Sequence, residues 1–252
     1  MILAQRAAAI ALALLLPAAA SAQSSSSQSL LACHKFTKDV IAAPEPREAA
    51  APLRRFDEIK RAVKTDHYRA LYLGDSITQL WDPTIWRENM VRRGVLNAGV
   101  SGDRTEHLVW RLDHGNLDGP PPRVAIVLIG TNDIGHGRSV EDAAEGIRAV
   151  LLKLRVREPA TRILLLGLWP RGASPLDPFR KKVEAVNELI RTCGDNKTVY
   201  YADIGGALLD ARGDLSHAIS PDLLHFTAEG YARIAPLLDR VLDPLLAMPA
   251  AG

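Results

Sequence analysis

Three residues of this 252-residue chain could together activate a hydroxyl group for nucleophilic attack. Ser76 stands in Gly74-Asp75-Ser76, directly after an apolar run, where a strand can turn into a helix. Asp222 and His225 follow near the C-terminus, three residues apart. A serine hydroxyl is a weak nucleophile until a base takes its proton, and the base must be oriented by a third group. Ser76, His225 and Asp222 are therefore candidates for nucleophile, base and orienting acid.

Acyl transfer also needs hydrogen-bond donors for the negative charge that develops on the carbonyl oxygen. The candidates are the backbone N–H groups of Ser76 and Gly102 and the side-chain amide of Asn132. A glycine at position 102 allows the backbone to approach a substrate closely. Asn132 lies in Gly130-Thr131-Asn132-Asp133, which directly follows another apolar run. These three donors form the predicted oxyanion hole.

Taken singly, each of these signals is weak. A Gly-Asp-Ser sequence after a strand is usually an ordinary turn, and Asp222 or His225 could serve only their own loop and the last helix. His107, His114 and His136 compete as bases, but none lies on a loop near the C-terminus with an aspartate three residues before it. The prediction depends on all the segments meeting at one place in the fold.

The elements that must position these residues alternate between strands and helices. Five apolar runs predict strands, at Arg69–Leu73, Gly94–Leu96, Val124–Ile129, Ile163–Leu168 and Thr198–Tyr201. Stretches with helical spacing separate them, and Ser139 with Asp142 and Asp103 with Glu106 have the spacing of helix N-caps. We expect one doubly wound α/β domain over residues 53–247, with a parallel sheet covered by helices on both faces. In such a sheet the ligand site lies at the carboxyl ends of the strands, where all the candidate segments begin.

The N-terminus predicts export. Residues 1–22 contain one arginine, an apolar run too short to span a bilayer, and the sequence Ala20-Ser21-Ala22, which is typical of a signal peptide cleavage site. An uncleaved anchor and a lipoprotein acylated at Cys33 are the alternatives. Residues 23–52, rich in Ser, Ala and Pro, are expected to form an arm or linker. We expect a periplasmic or extracellular protein without a membrane span after cleavage.

Charge and cysteine content bear on two further kinds of function, nucleic-acid binding and metal binding. The chain has 31 basic and 29 acidic residues, a balance that does not predict a nucleic acid as partner. Its two cysteines, Cys33 and Cys193, could form a disulfide in an oxidising compartment, and their distance in the fold decides it. Two cysteines cannot form a cysteine-based metal site, and the zinc-protease sequence H-E-x-x-H is absent from the chain.

With these residues in place, the sequence resembles the SGNH, or GDSL-type, hydrolases. Their four blocks correspond to Gly74-Asp75-Ser76, Ser101-Gly102-Asp103, Gly130-Thr131-Asn132-Asp133 and Asp222-x-x-His225. Longer stretches are similar to the branch of the platelet-activating-factor acetylhydrolase catalytic subunits. The resemblance implies a flavodoxin-like, five-stranded parallel sheet and a serine esterase that removes short acyl groups without a metal or other cofactor. It also implies a homodimer as one arrangement, because related subunits pair.

Two features depart from that branch, and a third separates the chain from the α/β-hydrolases. Asp133 stands where the branch often has asparagine, and the signal peptide contrasts with the intracellular location of those subunits. An α/β-hydrolase would carry G-x-S-x-G, whereas Thr78 occupies the last position of that pattern here. We therefore expect the family's serine mechanism with a different natural substrate.

Four residues are candidates for substrate contact: Asp75, Asp133, Trp169 and Arg171. Trp169 opens a proline-rich loop after the fourth strand and could form a wall of the acyl pocket, whereas the other tryptophans are expected in the core. The expected substrate is a small acyl ester, on either an acetylated glycan or a lipid. Lysophospholipase and thioesterase activities, and a non-catalytic binding module, are the alternatives.

Overall fold

The computed structural model describes residues 30–37 and 43–249, and in this part of the chain five parallel strands form one sheet. The strands are β1 (Ala70–Gly74), β2 (Val95–Gly99), β3 (Val124–Leu128), β4 (Arg162–Leu166) and β5 (Val199–Ala202). Their order, β2-β1-β3-β4-β5, is the predicted flavodoxin-like order. The predicted signal peptide, residues 1–22, lies outside the described residues.

Helices cover the sheet on both faces. They are α1 (Ala50–Thr65), α2 (Ser76–Gln79), α3 (Pro83–Asn89), α4 (Thr105–Asp113), α5 (Thr131–Gly135), α6 (Val140–Arg157), α7 (Pro178–Ile190) and α8 (Ala228–Ala247). Helices α4, α6 and α7 pack side by side, and α3 packs on α8. Every residue of β1, β3 and β4 is buried, as expected for strands covered on both faces. None of the helices in the described ranges combines the length and apolar character needed to cross a membrane.

Two predicted helix caps have different outcomes. The Ser139 cap of α6 is confirmed, because its Oγ accepts a hydrogen bond from the N–H of Asp142 at 3.0 Å. The Asp103 cap is wrong: α4 is capped at Arg104, whose N–H donates to Nδ1 of His107 at 3.0 Å. The carboxylate of Asp103 instead binds the buried guanidinium of Arg111 at 2.7 Å, since a buried charge needs an opposite partner.

The segment predicted as an arm, residues 23–52, contains the start of a helix. Helix α1 begins at Ala50, and Pro52 lies within its first turn. Proline is tolerated there because the N–H groups of a first turn have no partner inside the helix. The arm ends before Ala50, and its described part consists of residues 30–37 and 43–49.

A disulfide between Cys33 and Cys193 ties this arm to the domain, which decides the pairing that the sequence left open. The side chains of Leu31 and Cys33 are buried, so the arm packs against the domain. The N–H of Phe36 donates to Oε2 of Glu145 on α6 at 2.9 Å. The arm therefore lies along the helical layer that contains α6 and α7.

We expect the disulfide to contribute about 5 kcal/mol to the free energy of unfolding, because it closes a long loop in the unfolded chain. The two cysteines are 160 residues apart in the sequence. Urea unfolding of the oxidised and reduced wild-type protein would measure this contribution, and a Cys33→Ala/Cys193→Ala variant should match the reduced protein. Identical midpoints for the oxidised and reduced forms would contradict the expectation.

Candidate active site

Ser76 is the first residue of α2, directly beyond the carboxyl end of β1. Asp75 caps this short helix, because its Oδ1 accepts the N–H of Ile77 at 2.9 Å. A side chain at Gly74 could not fit, since a Cβ there would lie 2.5 Å from the carbonyl oxygen of Leu128 on β3. The glycine therefore lets β1 turn sharply and places Ser76 at the edge of the sheet.

His225 and Asp222 meet Ser76 from a loop that precedes α8. Nε2 of His225 lies 2.9 Å from Oγ of Ser76, and its Nδ1 lies 2.6 Å from Oδ2 of Asp222. A hydrogen on Nδ1 donates to the carboxylate, so the lone pair of Nε2 can accept the serine proton. The three side chains predicted to act together are thus hydrogen-bonded in series.

The loop conformation holds the acid and the base in this arrangement. Oδ1 of Asp222 accepts the backbone N–H groups of Leu224 at 3.1 Å and His225 at 2.7 Å. Leu223, which directly follows Asp222, has a φ of 59°, in the left-handed region that a leucine rarely adopts. Burial raises the pKa of Asp222, but the hydrogen bonds from His225 and the loop outweigh it, and the net pKa is lowered. The carboxylate is therefore charged when it orients the imidazole.

The predicted oxyanion donors lie on the segments that follow β2 and β3 at the carboxyl edge of the sheet. These segments, with the turn after β1, are called the rim segments below. Gly102, with a φ of 79°, follows β2, whose last residue Gly99 pairs with Gly74 at the end of β1. Nδ2 of Asn132 donates one hydrogen to the carbonyl oxygen of Asp103 at 2.9 Å. This bond joins α5 to the Gly102 loop and leaves the second amide hydrogen of Asn132 for another acceptor.

Arg111 connects these rim segments beneath the site. Its buried guanidinium donates to the carbonyl oxygens of Gly74 at 3.3 Å and Ala98 at 3.2 Å, and to Oδ1 of Asn116 at 2.5 Å. The fourth partner is the carboxylate of Asp103. No sequence motif assigns a role to Arg111; an arginine inside an otherwise apolar helical stretch is the signal that could have indicated one.

Asp75 and Asp133 were predicted to contact the substrate, but both side chains are buried. Asp75 is 1% exposed, and Asp133 is fully buried. Oδ1 of Asp133 accepts hydrogen bonds from Oγ1 of Thr105 at 2.7 Å and from Arg138 at 2.8 Å. Both carboxyl groups are therefore engaged inside the protein, where they support the rim segments.

Trp169 also differs from its predicted place in the wall of a pocket. The side chain is 1% exposed, and its ring packs against Phe226 at 5.5 Å and Tyr231 at 6.2 Å between centroids. Arg171 lies closer to the surface, donates to the carbonyl oxygen of Thr131 at 3.0 Å and stacks on the Phe179 ring at 4.4 Å. Of the four predicted contacts, Arg171 alone keeps a partly exposed position.

One group of side chains has the composition of a metal site. Ligand atoms of Glu45, Glu106 and His107 lie within 4.8 Å of one another. Glu106 is already bound by the guanidinium groups of Arg104 and of Arg138, the latter at 2.9 Å. These two cations oppose the binding of a third positive charge, so the group does not fit a metal ion.

Comparison with known proteins identifies relatives of this chain. Residues 72–233 match the profile of the GDSL-like Lipase/Acylhydrolase family. The human platelet-activating factor acetylhydrolase IB subunit alpha1 is 36% identical over 179 residues, which cover 70% of this chain and 76% of that protein. The rat platelet-activating factor acetylhydrolase IB subunit alpha2 is 38% identical over 178 residues, which cover 70% of this chain and 76% of that protein. The family resemblance inferred from the four sequence blocks is confirmed.

Solved structures of other proteins share the fold. A GDSL-like lipase from Bacteroides thetaiotaomicron superposes with a TM-score of 0.64 and 17% identity, over 77% of this chain and 98% of that chain. An acetylxylan esterase from Geobacillus stearothermophilus gives a TM-score of 0.56 and 16% identity, over 74% of this chain and 97% of that chain. At this level of identity the similarity concerns the fold alone.

The buried Asp75 is expected to make stability depend on pH. Burial raises the pKa of Asp75 to about 7 from an ordinary value of 3.8, although the hydrogen bond from Ile77 opposes this. Between these values the unfolded chain releases its proton while the folded chain retains it, so stability falls as the pH rises. The Asp75→Asn variant lacks this titration, and its free energy of unfolding relative to wild type should be higher at pH 8 than at pH 4.5.

Urea unfolding at both pH values tests this expectation. The exposed Asp57 on α1 provides the control, since Asp57→Asn removes a carboxylate without removing a buried one. An Asp75→Asn effect that is equal at the two pH values would contradict the assignment.

Proposed function

The chain belongs to the GDSL-like lipase/acylhydrolase family, and from this premise we propose that it is a serine esterase that forms an acyl-enzyme on Ser76. The observation that supports the proposal most directly is the hydrogen-bonded series of Ser76, His225 and Asp222. A carboxylic ester hydrolase is the activity class of this family. The roles of the individual residues are our proposal.

In the first half-reaction, Oγ of Ser76 attacks the carbonyl carbon of the ester while Nε2 of His225 takes the hydroxyl proton. The tetrahedral intermediate collapses when the C–O bond to the alcohol breaks, and His225 returns the proton to the leaving oxygen. Water then attacks the acyl-enzyme with His225 again as the base, which releases the carboxylic acid and restores Ser76. Asp222 stabilises the imidazolium in both halves.

The charge on the intermediate needs donors from three elements of the rim. We assign this role to the N–H of Ser76, the N–H of Gly102 and the second amide hydrogen of Asn132. As the first residue of α2, Ser76 has an N–H group without a partner inside that helix. Each such donor typically contributes about 3 kcal/mol to the stability of the transition state.

The packing around Ser76 favours a short acyl group, of which acetyl is the simplest. The Tyr231 hydroxyl donates to the carbonyl oxygen of Ile77, next to Ser76, at 2.8 Å. Trp81 packs on Tyr231 with 4.7 Å between ring centroids, and Trp169 also packs against both. These rings fill the interior next to the nucleophile, so a long acyl chain would have to displace closely packed aromatic side chains.

The natural alcohol is either a glycan or a lipid. The names of the curated relatives refer to platelet-activating factor, and the name of one structural neighbour refers to acetylxylan. The disulfide favours an oxidising compartment, which agrees with the proposed export of the chain. A homodimer stays a prediction from the family resemblance. The intact hydrogen-bonded series argues against a non-catalytic binding module.

Ser76→Ala is expected to lower kcat for p-nitrophenyl acetate by about 10³-fold or more, because the nucleophile is removed. Steady-state hydrolysis measures this loss, and circular dichroism verifies that the variant is folded. The exposed Ser216 provides a control whose alanine variant should retain activity. Undiminished hydrolysis by folded Ser76→Ala protein, or failure of a fluorophosphonate to label Ser76, would refute the mechanism.

The value of kcat/KM should depend steeply on the length of the acyl chain. We expect kcat/KM for p-nitrophenyl esters to fall about tenfold or more between acetate and butyrate, since additional methylene groups meet the packed aromatic rings. A series of acetate, propionate, butyrate and octanoate esters measures it. Octanoate turnover equal to that of acetate would exclude the short-chain proposal and favour a lipase-like substrate.

A further inference from the structure

A cavity of about 560 Å³ opens beside Gly102, the proposed oxyanion donor. One of its sides is formed by arm residues 45–49, and the other by Gly102, Arg104, His107 and His136. Its volume lies within the range of small-molecule sites. The two sides come from distant parts of the chain, since residues 45–49 precede α1 and the other residues follow β2 and β3.

The arm is held against the rim by charged contacts. NH1 of Arg47 lies 3.9 Å from Oδ1 of the buried Asp103. The Arg47 guanidinium also covers Gly102 closely, because a Cβ on Gly102 would lie 2.8 Å from NH1. Oε1 of Glu45 lies 3.2 Å from NH2 of Arg104. Arg47 and Glu45 are thus positioned at the cavity and beside the proposed oxyanion hole.

The lining chemistry suits an alcohol with many hydroxyl groups. Arg47 and Arg104 offer hydrogen-bond donors, whereas the carboxylates of Glu45 and Glu48 offer acceptors. A hydroxyl group is both donor and acceptor, so several hydroxyls can satisfy such a mixed lining. An alkyl chain in this cavity would separate the same charged groups from water without replacing their hydrogen bonds, which is unfavourable.

The arm lies outside the region that matches the family profile. The family match begins at residue 72, whereas the cavity side formed by residues 45–49 lies before it. The disulfide at Cys33 anchors the same arm further towards the N-terminus. Variation in such an arm changes the surroundings of the site without changing Ser76, His225 or Asp222.

We propose that arm residues 45–49, with Arg104, His107 and His136, form the subsite that binds the sugar alcohol of an acetylated glycan. This inference rests on the proposed esterase function. Within the subsite, Arg47 and Glu45 bind sugar hydroxyl groups and determine specificity. The acetyl group then lies at Ser76 and the sugar rings occupy the cavity.

The test compares O-acetylated xylotriose, a neutral sugar ester, with p-nitrophenyl acetate, which lacks the sugar. For Arg47→Gln and Glu45→Gln, the ratio of kcat/KM for the sugar ester to that for p-nitrophenyl acetate should fall about tenfold, mainly through KM, as expected for the loss of a charge-assisted hydrogen bond. Arg54→Gln, an exposed change on α1, is the matched control and should leave the ratio unaltered.

Binding of deacetylated xylotriose to the Ser76→Ala protein, measured by calorimetry, tests the subsite without catalysis. Binding that is lost on adding Arg47→Gln supports the subsite even if the proposed hydrolysis fails. Hydrolysis of p-nitrophenyl acetate by wild type, together with Arg47→Gln effects that are equal for both esters, would overturn the subsite and leave the esterase intact. A selective loss on an acetylated glycerophosphocholine lipid, but not on the sugar ester, would overturn it in favour of a phospholipid headgroup.

Discussion

The buried ion pair between Arg111 and Asp103 is the interaction on which the candidate site depends most. The guanidinium of Arg111 donates to the carbonyl oxygens of Gly74 at the end of β1 and of Ala98 on β2. It also binds the carboxylate of Asp103, the residue that follows Gly102. A buried arginine without these partners would be strongly unfavourable, so the arrangement of the rim and the burial of this charge require each other. The nucleophile turn and the proposed oxyanion loop consequently have one common support inside the protein.

Around this support, the parallel sheet brings distant segments together. Ser76 and His225 are 149 residues apart in the sequence, yet their side chains are hydrogen-bonded because β1 and the loop before α8 reach the same edge. The loop that carries His225 and Asp222 is itself constrained, since one carboxylate oxygen caps the turn and the other binds the imidazole. Local turn chemistry and sheet topology therefore cooperate to orient the base.

The N-terminal arm adds a layer outside the region that matches the family profile. It is attached at the helical layer by the Cys33–Cys193 disulfide and reaches the rim through Arg47 and Glu45. Because Ser76 lies at the sheet edge and the arm lies beside it, the proposed chemistry and the proposed choice of alcohol depend on separate parts of the chain. Such a division lets one catalytic arrangement serve substrates with different alcohols.

Much of the fold and the meeting of Ser76, Asp222 and His225 could be predicted from the sequence. The oxyanion role of Gly102 and Asn132 stays a prediction. Apolar runs separated by helical spacing are local patterns, and they determine a parallel sheet whose strand ends must meet. Burial and pairing are not local. The roles of Asp75, Asp133 and Trp169 as supports, the use of Asp103 for Arg111 instead of a helix cap, and the disulfide were decided only by the tertiary structure. Each depends on which charge, ring or thiol lies next to the residue in space. The spacing of residues along the chain does not determine those distances.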